Sequence, residues 1–297
     1  MDWQGSDGFG RAIKTIKMED FDPSKLSQIK KFISLYGGAK KSLGQHFLIS
    51  DTVAKKMVEA ALLSPSDSVL EIGPGLGVLT QELIKSKTKE IVLVEKDRDL
   101  HQYLLNRFEN KNTKIICQDA LLLIPGLIVE SPFKVVANLP YNIGAASIIS
   151  LLSVSKTLPQ TMVLMLQKEV ADRILAKPND SNRGILTVFI EQFGETKLLH
   201  NVSRNLFYPP PHVDSAVIVI SNINQLSVPA KVALKIIKSA FSSKRKKIKN
   251  SLFNNLKILP KEAEGIAKKC GFNLDQRPEE LNKYQWTALI SILKSKI

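Results

Sequence analysis

Up to about residue 220, apolar stretches bounded by turn residues and acids recur along the chain; beyond that, a helical periodicity takes over. Val69–Ile72, Ile91–Val94 and Val135–Ala137 are nearly unbroken apolar runs, the pattern of central strands covered on both faces. Lys114–Asp119 predicts a further strand, and Val213–Ile220 alternates enough to be a final one. Ile143–Val154 suits a helix packed on the sheet and is too short to span a bilayer. After the polar break Asn222-Ile223-Asn224-Gln225, the periodicity predicts four helices over 229–241, 247–256, 261–270 and 278–294. Gly271 ends the third, and Asp275–Leu281 reads as a capped start for the last. Near the N-terminus, Lys25–Tyr36 forms a short amphipathic pattern. The expected class is α/β, a sheet with helices on both faces, followed by a small all-helical domain.

The chemistry gathers where strands end. Val135-Val136-Ala137 runs directly into Asn138-Leu139-Pro140-Tyr141-Asn142-Ile143. Pro140 lacks an N–H and biases Leu139 away from the helical region, so strand pairing is expected to stop near Asn138. That leaves an amide, free carbonyls and an aromatic ring at a carboxyl edge, where open α/β sheets bind ligands. The Asn138 oxygen and the carbonyl of Leu139 or Pro140 could accept both hydrogens of an exocyclic amine, with Tyr141 stacking on the attached ring; an adenine presents both features. Taken alone, the segment is equally well read as an ordinary Asn-Leu-Pro-Tyr turn.

Upstream, Val69-Leu70-Glu71-Ile72-Gly73-Pro74-Gly75-Leu76-Gly77-Val78 is a strand, a glycine-rich turn and a helix start, the first βα turn of a nucleotide-binding unit. About twenty residues on, the second strand ends in Glu95, suited to ribose hydroxyls. The third ends in Asp119, which can accept an adenine amino hydrogen. The dinucleotide pattern would place a glycine where Val78 stands.

Read together, these strand ends resemble class I S-adenosylmethionine-dependent methyltransferases, and most closely the ribosomal RNA small-subunit adenine dimethyltransferase family, often called the KsgA type. The motifs that carry the resemblance run in order: Lys41–Leu48, Leu70–Gly75, Asn138–Ile143, Leu166–Ala171, Phe207–Val217 and Ala240–Lys247. They cover the chain from about residue 38 onward. The resemblance implies a Rossmann-like class I methyltransferase sheet, with 37–222 as the S-adenosylmethionine-binding catalytic domain and 223–297 as a helical RNA-binding domain; residues 1–36 fall outside it and read as a flexible N-terminal extension. It implies that Gln45, His46 and Leu48 close over the cofactor, that Gly73 and Gly75 pack on its methionine part, that Glu95 holds the ribose, and that Asp119 with Ala120 holds the adenine. Asn138 would sit between cofactor and target. Leu139, Pro140 and Tyr141 would complete the catalytic segment, with Phe207 stacking the flipped base opposite Tyr141. The implied reaction is N6,N6-dimethylation of two adjacent adenines near the 3′ end of 16S RNA during small-subunit biogenesis. Two positions depart from the family pattern: Arg183 stands where relatives usually carry Tyr, and His212 replaces a common Lys.

Composition agrees with such a substrate. The 297-residue chain carries a formal net charge of +14, with a pI near 9.6, and so attracts a polyanion. Its densest basic run, Lys244-Arg245-Lys246-Lys247-Ile248-Lys249, is the expected RNA contact. Cys117 and Cys270 are far apart and the four histidines scattered, so no metal is expected and a reducing, cytoplasmic setting is. Asp2, Asp7, Glu19, Asp20 and Asp22 argue against a transit peptide in Met1–Gly10 and beyond. No membrane span is expected, and the chain is read as a monomer whose partner is small-subunit rRNA or its precursor particle. Other readings are a large-subunit rRNA methyltransferase of the macrolide-resistance type, a DNA adenine methyltransferase, which more often carries Asp-Pro-Pro-Tyr, and a non-catalytic RNA-binding relative.

Overall fold

The computed structural model describes residues 21–127, 129, 132–243 and 246–297; Met1–Gly10, Glu19 and Asp20, and Lys244 and Arg245 of the basic run, lie outside them. In chain order the elements are α1 (Leu26–Tyr36), β1 (Phe47–Leu48), α2 (Asp51–Ala60), β2 (Ser68–Ile72), α3 (Val78–Lys85), β3 (Glu90–Glu95), α4 (Arg98–Phe108), β4 (Thr113–Cys117), α5 (Ala120–Leu123), β5 (Phe133–Asn138) and α6 (Gly144–Ser153). They continue as β6 (Thr161–Gln167), α7 (Lys168–Leu175), α8 (Ile185–Phe193), β7 (Glu195–Val202), β8 (Phe207–Tyr208), β9 (Ser215–Ser221), α9 (Ala230–Ala240), α10 (Pro260–Cys270) and α11 (Lys283–Leu293).

The main sheet has the order β4-β3-β2-β5-β6-β9-β7. All neighbours are parallel except β9, which is antiparallel to both β6 and β7. From β2 the chain winds outward to β4, then returns to start β5 on the other side of β2. Strand order therefore reverses between β2 and β5, and the crevice at their carboxyl ends is where such sheets take ligands. Every residue of β2 and β3 is buried, as expected of strands covered on both faces. Their side chains alternate between two cores. Leu70, Ile72, Val135 and Ala137 join one cluster, while Val69, Leu93 and Val136 join the other, against Val53 and Met57 of α2 and Leu79 and Leu83 of α3.

The C-terminal helices extend the first cluster: Ile236, Leu252, Trp286 and Leu289 share it with Ile148 of α6 and Phe189 of α8. Arg183 ties the two parts together. Its buried guanidinium grips Glu191 with two bonds of 2.6 and 2.7 Å and donates to the Leu281 carbonyl at 3.0 Å. Arg183 thus supplies a buried bidentate ion pair at the seam.

Some expectations shift. The last long helix begins at Lys283, because Asn282 caps it by accepting from the Gln285 N–H at 3.0 Å; Pro278–Glu280 is a separate 3₁₀ turn, and Asp275 caps nothing in this helix. The second C-terminal helix runs over 248–255, close to the expected span, and is π-helical over Lys249–Phe253. Strand β4 stops at Cys117, short of Asp119. Within the expected N-terminal extension, residues 26–36 form the amphipathic helix that the pattern predicts, and it is packed. Ile29, Phe32, Ile33 and Tyr36 of α1 pack with Phe21 against Tyr103, Leu104 and Phe108 of α4 in a third, aromatic-rich cluster. Among the described residues, no helix is long and apolar enough to cross a membrane.

Candidate active site

Two backbone features shape the crevice. After Ile72 the chain turns through Gly73, Gly75 and Gly77, each at positive φ. Gly77, at φ 82°, is the left-handed N-cap of α3, and a Cβ there would stand 2.3 Å from the Phe108 ring. A Cβ on Gly73 would stand 3.1 Å from the Pro140 ring, so the glycine turn and the Asn138–Tyr141 segment are pressed together. On the other side, the Leu139 N–H donates to the Met165 carbonyl at 3.1 Å, carrying the pairing one residue past the expected stop. The Pro140 carbonyl accepts from the Ile143 N–H at 3.0 Å. Of the two carbonyls considered for an amine, Pro140's is engaged in a turn and Leu139's is the better placed.

The result is a cleft with an empty volume of about 1060 Å³, open mouth included, walled by Gln45, His46, Leu48, Gly73, Gly75, Glu95, Asp119, Ala120, Asn138, Leu139, Pro140 and Tyr141. Glu95, 7 % exposed, ends β3. One of its oxygens accepts from the Gly75 N–H at 3.3 Å and the other from the Asp97 N–H at 2.9 Å. Burial pushes its carboxyl up to about 7 against the pull of those two N–H groups.

Beside it is a cleft residue that the sequence pattern hides. Glu71 sits inside the apolar run of β2, is 1 % exposed, and accepts from the Thr80 hydroxyl at 2.7 Å. Burial, reinforced by the charge of Glu95, pushes it up to about 8, so it is mostly protonated at neutral pH. An acid within an otherwise apolar central strand is the signal that would have found it.

The remaining positions are more constrained than their sequence roles suggest. Asp119 caps α5 by accepting from the Leu121 N–H at 2.9 Å and pairs with Lys96 at 2.8 Å, which holds its carboxyl below the ordinary value. Gln45 is pinned at both ends of its amide: it accepts from the Lys40 N–H at 2.8 Å and donates to Asp97 at 3.0 Å and the Tyr36 hydroxyl at 3.2 Å. It is a fixed wall of the cleft. His46 stacks on Tyr141, ring centroids 5.6 Å apart, and its Nδ1 is 2.8 Å from the Pro209 carbonyl. The Tyr141 hydroxyl is 2.7 Å from that of Ser215, and burial pushes it up.

Phe207 does not line the cleft in this structure. It is 2 % exposed and packs in the same cluster as Leu48 and Val202, its backbone paired with Leu48. In this conformation it presents no open ring face to a base opposite Tyr141, because the short β1–β8 pairing turns it into the core. Among the described residues of the basic run, none is at the cleft wall. Lys246 is exposed, while Lys247 and Lys249 share the Asp275 carboxylate at 3.1 and 2.7 Å.

A family model described as ribosomal RNA adenine dimethylase matches residues 38–295. The ribosomal RNA small subunit methyltransferase A of Dehalococcoides mccartyi is 38 % identical over 275 residues, covering 90 % of this chain and 93 % of the relative. That of Wolbachia pipientis wMel is 37 % identical over 268 residues, covering 89 % and 91 %. A crystal structure of a dimethyladenosine transferase from Plasmodium falciparum superposes with a TM-score of 0.71 at 27 % identity, covering 84 % of this chain and 98 % of that one. The 23S rRNA methyltransferase ErmE, at 23 % identity and a TM-score of 0.60 over 82 % of this chain and 98 % of its own, shares the fold. With the family model spanning nearly all of the described residues, this chain belongs to the ribosomal RNA adenine dimethylase family, and it is an S-adenosylmethionine-dependent rRNA adenine methyltransferase with the α/β fold of class I methyltransferases.

Proposed function

We propose that this chain dimethylates N6 of two adjacent adenines near the 3′ end of small-subunit (16S) ribosomal RNA, using S-adenosylmethionine bound in the β2–β5 crevice, and so serves small-subunit biogenesis. The observation that carries the reading is the joining of Asn138–Tyr141 to the Gly73–Gly77 turn and Glu95 in one cleft. Relatives named as small-subunit methyltransferases over nine-tenths of the chain support the choice of RNA.

The cleft suits that cofactor. Glu95 keeps lone pairs for a ribose diol, because backbone N–H groups rather than a cation hold it. The turn is narrowed to glycine width by Pro140 and Phe47, each 3.1 Å from where a Cβ would be at Gly73 and Gly75. Asp119 and Ala120 wall the far end, where an adenine edge would lie, and Gln45, His46 and Leu48 wall the N-terminal side. Bound S-adenosylmethionine supplies an already activated sulfonium methyl, so the protein needs no strong base.

What the chain's own residues do is position the amine. The adenine N6 lone pair is delocalised into its ring and is a poor nucleophile. Accepting its two hydrogens at the Asn138 side-chain oxygen and the Leu139 carbonyl localises that pair and stabilises the positive charge that develops on nitrogen. Tyr141, backed by His46, stacks one face of the extruded base. The helical region 223–297 would grip phosphates through Lys244, Arg245, Lys246, Lys247 and Lys249.

The test is methyl transfer from labelled S-adenosylmethionine to undermethylated small subunits and to large-subunit RNA, with mass spectrometry of the nucleosides. Dimethyladenosine in the small-subunit RNA alone is the expected result; label in the large-subunit RNA alone would refute it. Asn138→Ala should lower the rate about 10²–10³-fold, and an unchanged rate would remove Asn138 from the chemistry.

A further inference from the structure

Asp97 connects three parts of the molecule that the family's cleft motifs do not link. Its side chain is wholly inaccessible to solvent. One carboxylate oxygen accepts from the Lys40 ammonium at 3.0 Å and from the N–H groups of Asp99 and Leu100, capping α4. The other accepts from the Tyr36 hydroxyl, from the Gln45 amide at 3.0 Å and from Lys40 at 2.8 Å. Its own N–H donates to Glu95. Asp97 thus holds two walls of the cleft at once, Gln45 through its side chain and Glu95 through its backbone.

Two of the groups that satisfy this buried charge come from the N-terminal side. Tyr36 is the last residue of α1 and precedes the matched family region, which begins at residue 38. It is fixed by packing: its ring stacks on Phe32 at 6.1 Å and lies 4.9 Å beneath the Lys40 ammonium, and the rest of α1 is clamped to α4. Lys40 is shared by Asp97 and Asp99. A buried carboxylate beside Glu95 would repel it and have reason to move toward water; a hydroxyl and an ammonium delivered by a rigid helix remove that tendency.

We propose that Tyr36 and Lys40 are positioning residues for cofactor binding, the helix α1 serving as a brace that sets Gln45 and Glu95 at the ribose end of the cleft through Asp97. The inference rests on the reading of Glu95 as the ribose acceptor. Because the pair acts on the cofactor side and not on the target amine, its loss falls on affinity for S-adenosylmethionine and leaves the saturated turnover rate alone.

The experiment uses the full chain and four variants, with S-adenosylmethionine affinity from calorimetry, KM and kcat from methyl transfer, and thermal melting in parallel. Tyr36→Phe keeps the ring in its aromatic cluster and removes only the hydroxyl; Lys40→Met removes the ammonium; Lys40→Arg retains a donor; Glu95→Ala tests the underlying reading. Tyr36→Phe and Lys40→Met should each weaken binding about fivefold to tenfold, raise KM in step and leave kcat unchanged, with Lys40→Arg close to the parent. Weakened binding in Glu95→Ala with unchanged binding in both Tyr36→Phe and Lys40→Met overturns the brace and leaves the site reading intact. Unchanged binding in all three overturns both. A fall in kcat matching the rise in KM, together with a lower melting temperature, also overturns the inference, since it would mark general loosening.

Discussion

The cleft and the basic C-terminal face are built on different principles. In the cleft, the decisive features are in the backbone: three left-handed glycines, strand ends aligned by parallel pairing, and a proline ring lodged against Gly73. On the C-terminal face, the features are flexible side chains whose effective charge depends on what lies beside them. Two of its lysines converge on a single carboxylate. A motif that works through backbone shape survives translation from sequence to structure almost unchanged, whereas a charge run does not, because one acid contributed from elsewhere in the chain alters it.

The sharpest way to break that contrast is to put a side chain where the glycine turn allows none. Gly77→Ala combines a φ of 82° with a Cβ 2.3 Å from Phe108, a ring packed in the aromatic cluster. We expect a loss of about 3 kcal/mol or more in urea unfolding. A loss under about 1 kcal/mol would show that the turn adapts and that its shape is not what the glycine provides. Next in size is Glu95→Ala, which keeps the backbone and removes one acceptor: cofactor affinity should drop about 10- to 100-fold, measured by calorimetry. Unchanged affinity would make Glu95 a purely structural acid.

The same contrast explains what the sequence made legible. β2, β3 and β5 were readable because strands buried on both faces must be apolar, and Glu95 because it stands at the end of one. β7 was not read: it is an edge strand with mostly exposed or half-exposed positions and a bulge between Leu198 and His200. Glu71 stayed hidden because an alternating-strand argument counts it as a pause in an apolar run. The burial of Phe207 is not legible in the sequence, because an aromatic next to a proline-rich segment looks available and only the β1–β8 pairing shows it turned inward. The Tyr36–Asp97 contact joins residues 61 positions apart and leaves no periodic trace.

Glu71 offers a test of intermediate size, one in which burial and charge compete inside the cleft. Its carboxyl rises from an ordinary 4.5 to about 8 in the folded chain. Between those values the folded state keeps a proton that the unfolded chain has released. Stability from this group is therefore fully present below about pH 4.5 and lost as pH rises toward 8. Glu95, raised to about 7, adds a slope of the same sign over a narrower range. Glu71→Gln mimics the protonated form and can still accept from Thr80. It should therefore stabilise the chain at pH 8 by at least about 1–2 kcal/mol more than at pH 5, in thermal or urea unfolding. Equal stability of variant and parent at both pH values would mean that Glu71 ionises normally and is not the buried acid its surroundings indicate.

The smallest effect is expected on the charged face, and it runs in the direction opposite to an ordinary loss of function. Asp275 is exposed and draws both Lys247 and Lys249, which hold its carboxyl below the usual range. If those lysines serve RNA, Asp275 competes with phosphate for them. Asp275→Asn keeps the size and removes the competitor, so affinity for small-subunit RNA should rise about twofold to threefold at moderate salt. The dependence of log affinity on log salt should also steepen, because two more ammonium groups can displace counterions. Lys246, exposed and in no ion pair among the described residues, gives the complementary measurement: Lys246→Ala should flatten that slope by about one. An Asp275→Asn variant with unchanged affinity and slope, measured alongside a Lys246→Ala variant that does flatten it, would show that RNA reaches Lys246 and not the pair behind Asp275. The contact surface would then be confined to the start of the basic run.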